Sequence, residues 1–151
     1  MKKHKKHAPS LLMSKFHAII DIMKKAGVSM KLHESGEDYL ESILVLEQRK
    51  GSVRSIDVAN DLKVTKPSVS RAIHILETDG YICIDESSLL HLTETGRRIA
   101  EKIYERHQVF TRLLKSIGVD ETIAAEDACR IEHAVSEESF SALKKFIEEH
   151  L

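Results

Sequence analysis

The sequence predicts a mainly helical protein carrying one small β-hairpin. Three observations point there. The chain is 42% hydrophobic yet has no Trp and only 5% aromatic residues, so its core must come mostly from Leu, Ile, Val and Ala. That composition suits packed helices better than a β-sandwich. Apolar residues recur at helical spacing along most of the chain. Two short apolar runs, Tyr81-Ile82-Cys83-Ile84 and Leu89-Leu90-His91-Leu92, flank Asp85-Glu86-Ser87-Ser88 and read as a hairpin. A length of 151 residues allows one ordinary domain or two small ones.

In chain order, residues 1–9 read as a disordered basic tail. Leu11, Leu12, Phe16, Ile19, Ile20 and Met23 then predict a short amphipathic helix over 10–25, ending near Gly27. Residues 1–30 are therefore expected to be a basic extension. The compact body begins near Lys31. Ser35 is the expected cap of the next helix, with Glu37 and Asp38 complementing the dipole of its first turn. Leu40, Ile43, Leu44 and Leu46 give that helix its apolar face to about Arg49, and Gly51 ends it. Ser55 is expected to cap a second helix bearing Ile56, Val58, Ala59 and Leu62. A tight connection through Lys63 and Val64 leads to Thr65, the cap of a third helix over 66–78 with Val69, Ala72, Ile73 and Leu76 inward. Asp79-Gly80 stops it, and the hairpin follows. Thr93 or Thr95 caps a long helix ending at Gly118. Asp120 caps one through Val135, and Ser136 caps a last one with the stripe Phe140, Leu143, Phe146 and Ile147.

Helix, helix, turn, helix, hairpin is the order of a winged helix-turn-helix, expected here over 31–95. An all-helical domain is expected over 96–151. In a helix-turn-helix the third helix enters the DNA major groove. Its outward residues here are Lys66, Pro67, Ser68, Ser70, Arg71 and His74. Arg71 is the candidate for reading guanine, because its fork matches the two acceptors of that base. Ser68 and Ser70 suit phosphate or base, and Lys66, Lys63 and Arg54 suit the backbone. The plainer alternative is a polar solvent face on an ordinary helical cluster. The wing is acidic at Asp85 and Glu86, so little affinity is expected from it.

Two patches bracket this element. On a helix, Cys129, Glu132 and His133 share one face, and Asp38 and Glu41 share another. His107, from a third helix, completes a set of sulfur, oxygen and nitrogen donors that suits one metal ion. Taken singly, each has an ordinary explanation: Asp38 as a dipole partner, Glu41, Glu132 and His133 as solvated surface, Cys129 as a small buried hydrophobe. Ligands that bracket a DNA reader point to a metal-controlled transcription factor. The net charge of −1 conceals +6 over residues 1–30, from seven Lys against one Asp, which leaves −7 for the rest. Carboxylates clustered in an acidic body repel one another until a cation neutralises them.

At these residues the chain resembles the diphtheria toxin repressor/manganese transport regulator family of bacterial metal-dependent repressors. The resemblance covers about residues 35–150. It rests on Asp38-Tyr39-Leu40-Glu41, Val64-Thr65-Lys66-Pro67-Ser68-Val69-Ser70, Arg106-His107 and Asp127-Ala128-Cys129-Arg130-Ile131-Glu132-His133. It implies a winged-helix domain joined to a helical domain that dimerises and binds metal. Stopping at Leu151, the chain resembles the shorter, manganese-type architecture without an SH3-like domain. The resemblance also implies metal ligation by Asp38, Glu41, His107, Cys129, Glu132 and His133. Cys129 departs from the manganese branch, which has Glu there, and matches the iron branch. The iron branch's ancillary site would fall near Thr111 and Ala125, and neither residue can serve as a ligand. Mn²⁺ is the first expected ion and Fe²⁺ the second, with Zn²⁺ or Co²⁺ able to substitute in vitro.

The expected partners are double-stranded operator DNA, palindromic to match a homodimer, and no membrane. No apolar run approaches the ~20 residues that span a bilayer. The basic start lacks a convincing cleavage site, and Cys83 and Cys129 suggest no disulfide framework, so a cytoplasmic protein is expected. Two other readings stay open: a winged-helix regulator answering redox or a small ligand, and a metalloenzyme with an open coordination position.

Overall fold

The computed structural model describes residues 34–151, so the helix expected over 10–25 lies outside the described residues. Within them, α1 (Glu34–Lys50), α2 (Ser55–Asp61) and α3 (Lys66–Thr78) precede the strands β1 (Ile82–Ile84) and β2 (Leu90–Leu92). Three helices follow: α4 (Glu94–Ser116), α5 (Glu121–Ile131) and α6 (Glu137–His150). This is the winged-helix order that the spacing predicts, followed by helices alone. The described residues form one compact unit.

Local chemistry sets the element ends. Thr65, Thr93, Asp120 and Ser136 each accept a hydrogen bond from the first turn of the helix they precede, as expected. Three boundaries differ. Ser35 lies inside α1. Ser55 is the first residue of α2, and Arg54 holds the cap position, its backbone N–H donating to Asp57 Oδ2 at 2.7 Å. Finally, α5 stops at Ile131, and Glu132 and His133 stand in the turn beyond it.

The turn between α2 and α3 is tightened by Lys63, which takes the left-handed conformation (φ 54°) while Val64 N–H donates to Ala59 O at 3.0 Å. The hairpin is antiparallel, pairing Ile82 with Leu92 and Ile84 with Leu90. Leu90 N–H also donates to Val53 O at 2.8 Å, which ties the wing to the loop before α2. Leu40, Ile43, Leu44, Val53, Val58, Val69, Ile73, Leu76, Ile82 and Leu90 are buried in this half. A second core is built from Val109, Phe110, Ala128, Phe140 and Ile147, with Leu113, Ile131, Val135 and Leu143 packed around it. The long helix α4 serves both halves, packing against α1 and against α5.

The start of α4 is clamped to the end of α3. Thr93 N–H donates to Tyr81 O at 3.0 Å, and Thr93 Oγ1 reaches Gly80 O at 2.8 Å. Gly96 is required at this contact, because a Cβ there would lie 2.0 Å from Tyr81 O.

Candidate metal centre

Helix α1 presents Glu34, Glu37, Asp38 and Glu41 at spacings of three, one and three residues, so all four lie along one stripe. Helix α4 brings His107 toward this stripe, and the turn after α5 brings Glu132 and His133. The result is two overlapping groups: Asp38, Glu132 and His133, and Glu41, His107 and Glu132. In each, one ligand atom per residue lies within 4.8 Å of the others.

Glu132 is the shared member, and its side chain is 0% exposed. Its Oε2 lies 2.9 Å from His107 Nδ1, and its Oε1 lies 3.3 Å from His133 Nε2. That second contact is not a hydrogen bond, so Oε1 is a buried carboxylate oxygen without a hydrogen-bond partner. A buried polar atom left unpaired costs about 1–3 kcal/mol, more if charged. A divalent cation between Oε1, His133 and Asp38 would satisfy it. The donor sets of both groups, two carboxylates and one imidazole, suit such an ion.

His133 is held at both ring nitrogens. Nε2 lies 2.8 Å from Asp38 Oδ1, and Nδ1 lies 2.8 Å from Glu37 Oε2. Glu37 can thus keep the proton on Nδ1, so that Nε2 could coordinate once a cation displaces the proton between it and Asp38, as outer carboxylates commonly allow for ligand histidines. Sequence reasoning missed this part, assigning Glu37 only to the helix dipole. The readable signal was the stripe of four acids.

The titrations follow from crowding. Burial, and then the charge of Glu132, pushes Glu41 up to about 7. The hydrogen bond to Glu132 raises His107 against the opposing effect of burial. Burial lowers His133, but its carboxylate partners, led by Glu37, outweigh that and raise it. Burial also raises Asp38, partly offset by His133. Without a cation, the cluster holds protons to balance its own charge.

Cys129, expected among the ligands, is not brought into either group and its residue is exposed. It stands in the last turn of α5, and burial together with the charges of Glu132, Asp38 and Glu41 pushes its thiol up to about 11. The thiol therefore stays protonated at neutral pH unless a cation offsets those charges. The other five expected ligands all belong to the two groups.

Arg54, Lys63, Lys66, Pro67, Ser68, Ser70, Arg71 and His74 are all exposed. Among the described residues, Lys63, Lys66, Arg71 and His74 form no ion pair within the chain, while Thr65 Oγ1 and Ser68 Oγ lie 2.9 Å apart. In the wing, Asp85 is not a bare charge. It accepts from Ser87 N–H and Leu89 N–H and lies 2.8 Å from His91 Nε2.

The chain is similar to known proteins over most of the described residues. Residues 31–88 match the N-terminal DNA-binding domain of iron-dependent repressors, and residues 93–150 match their metal-binding and dimerisation domain. The transcriptional regulator MntR of Escherichia coli is 36% identical over 114 residues, covering 76% of this chain and 74% of that protein. The HTH-type transcriptional regulator MntR of Lysinibacillus sphaericus is 32% identical, covering 76% and 82%. Among solved structures, the manganese regulator SloR matches with a TM-score of 0.67 at 26% identity over 75% of this chain. The IdeR of T. acidophilum matches with 0.63 at 29% identity over 74%. This chain spans about half, 53%, of each of those two solved chains. It belongs to the iron-dependent repressor family, whose members are metal-dependent DNA-binding transcriptional regulators and not enzymes.

Proposed function

We propose that this regulator is switched on for operator binding by a divalent metal held between α1 and the α4–α5 pair, and that it represses uptake genes for that metal. The observation that carries this is Glu132, buried between two ligand groups that each include one residue of α1. Asp38, Glu132 and His133 would hold one ion, and Glu41, His107 and Glu132 a second. When bound, the ion supplies positive charge that offsets the clustered carboxylates. The chain's own residues do the rest. Asp38 and Glu41 belong to the winged-helix half, residues 31–95, while His107, Glu132 and His133 belong to the helical half, residues 96–151. Drawing them together fixes one half against the other.

In a homodimer joined through the helical halves, that fixes the separation of the two α3 helices. A palindromic operator presents its half-sites about 34 Å apart, or at a multiple of that. Pre-setting the separation raises affinity without new DNA contacts. Coupling of about 1–3 kcal/mol, or roughly 5–150-fold, is typical of such linkage. The exposed apolar side chains Ile117 and Ile123, at the end of α4 and on α5, suit the dimer face. No described helix is long and apolar enough to cross a membrane.

Mn²⁺ is the first choice of ion. Both groups offer carboxylate and imidazole, which accommodate a hard ion, and Cys129 lies outside them. Fe²⁺ is second, and Co²⁺ or Zn²⁺ would bind in vitro. Anaerobic operator-binding titrations with the four ions test the reading. Activation by Mn²⁺ at the lowest fraction of its cellular concentration supports it. Operator binding that is the same with every ion and with a chelator sinks it.

A further inference from the structure

Consecutive residues of α4 hold Glu132 at both ends. His107 meets its carboxylate, and Arg106 meets its backbone. Arg106 Nη1 donates to Glu132 O at 2.9 Å and to Val135 O at 2.6 Å. Its Nη2 donates to Glu137 Oε2 at 2.9 Å, a carboxylate that also accepts from Lys102 at 2.6 Å. The guanidinium carbon lies 4.9 Å from the centre of the Phe140 ring. The Arg106 side chain is only 7% exposed, and its Nε has no partner.

This is an expensive way to finish a helix. The last carbonyls of a helix have no partner inside it, and water or a small cap usually satisfies them. Burying a cation for the same task costs several kcal/mol before pairing. What the guanidinium adds is shape. A planar fork can hold two carbonyls and a carboxylate in one fixed arrangement, and a lysine ammonium cannot. The clamped segment, residues 132–135, carries Glu132 and His133 and joins α5 to α6.

We propose that Arg106 is a positioning residue of the metal centre, gripping the turn after α5 so that Glu132 and His133 face α1. This rests on the metal reading of the two groups. Arg106 never touches the ion, and its own charge opposes cation binding. That sets charge and positioning against each other in sign. If Arg106 acted only as a nearby charge, Arg106→Gln would tighten metal binding and Arg106→Lys would leave it unchanged. If it acts by holding the turn, both substitutions weaken binding, by the 10–100-fold typical of outer partners.

The experiment measures Mn²⁺ affinity by calorimetry on the full-length chain for wild type, Arg106→Lys, Arg106→Gln and His133→Ala. Helix content is checked by circular dichroism, and the visible spectrum is recorded with Co²⁺ in place of Mn²⁺. The expected result is 10–100-fold weaker Mn²⁺ binding in both Arg106 variants, with a shifted Co²⁺ spectrum and helix content retained. Unchanged or tighter binding, or a Co²⁺ spectrum identical to wild type in a variant that is merely less stable, overturns the proposal. Should Arg106→Gln fail to fold, Arg106→Lys decides alone. A wild type that binds Mn²⁺ no better than His133→Ala would instead overturn the metal reading itself.

Discussion

The two ligand groups share Glu132 but are not built alike. Around His133 the contacts are short, both ring nitrogens are engaged, and Glu37 supports the imidazole from behind. Around His107 they are looser. Nδ1 is 2.9 Å from Glu132 but 4.0 Å from Glu41, and Glu41 is pushed up to about 7. The His133 group is therefore close to its working geometry. Both groups would release protons to a cation, and the His107 group would also have to tighten. On the metal reading proposed above, the difference predicts an order of filling, with the His133 group the tighter site and the His107 group the responsive one.

The largest expected effect comes from removing what the groups share. Glu132→Gln should lower metal-stimulated operator binding by more than about 100-fold, beyond what outer partners cost. His133→Ala should come close to this, while His107→Ala should leave one tight ion and lose about 10-fold in operator affinity. Equal losses from the two histidine variants, with equal metal counts by calorimetry, would break the distinction.

The next effect is a pH dependence. Glu41, His107, His133 and Asp38 are all raised in the folded chain. The folded metal-free protein therefore binds protons that the unfolded chain has released. For Glu41 the window runs from its ordinary 4.5 to about 7. For the histidines the stabilisation is complete below 6.5 and is lost as pH rises through their raised folded values. The sign is the same throughout, so the thermal midpoint of the metal-free protein should fall from pH 5 to pH 8. Metal displaces these protons, so its affinity should rise over the same range. Asp57, Asp85 and Glu137 are lowered and titrate below this window. A metal-free midpoint that rises with pH would show that the cluster is not proton-loaded.

The smallest effect belongs to Cys129. Cys129→Ser should change the Mn²⁺ concentration needed for half-maximal operator binding by less than about threefold, since the thiol lies outside both groups. A loss comparable to that of His133→Ala would place Cys129 among the ligands after all. It would also bring Fe²⁺ level with Mn²⁺ as the favoured ion.

Much of this arrangement was legible in the sequence because the relevant periods are local. Spacing located every helix in the described residues, and the side-chain oxygens of Thr65, Asp120 and Ser136 marked three starts correctly. Spacing also found the two patches that the fold draws together. It failed where a helical period outlives its helix. Glu132 keeps helical backbone angles as the cap of α5, so the pattern runs on past Ile131 without marking the turn. The burial of Arg106 has no local signature. Its partners are 26 to 31 residues away, and only tertiary packing shows that this particular arginine is buried. Glu37 was hidden for another reason: an acid in a first helical turn already has a sufficient local explanation.

The contact between Gly96 and Tyr81 has a mechanical consequence. It fastens one end of α4 to the foot of α3, so on the proposed mechanism the helix would work as a lever rather than a spacer. With 23 residues, α4 is about 34 Å long, and His107 stands about 16 Å from that fastening. A tilt of about 5° about one end displaces the other by about 3 Å, close to one base-pair step along a strand. On the proposed mechanism, a displacement of about 1.4 Å at His107 would thereby become about 3 Å at the far end of α4. Gly96→Ala would force that contact apart and put slack into that gearing.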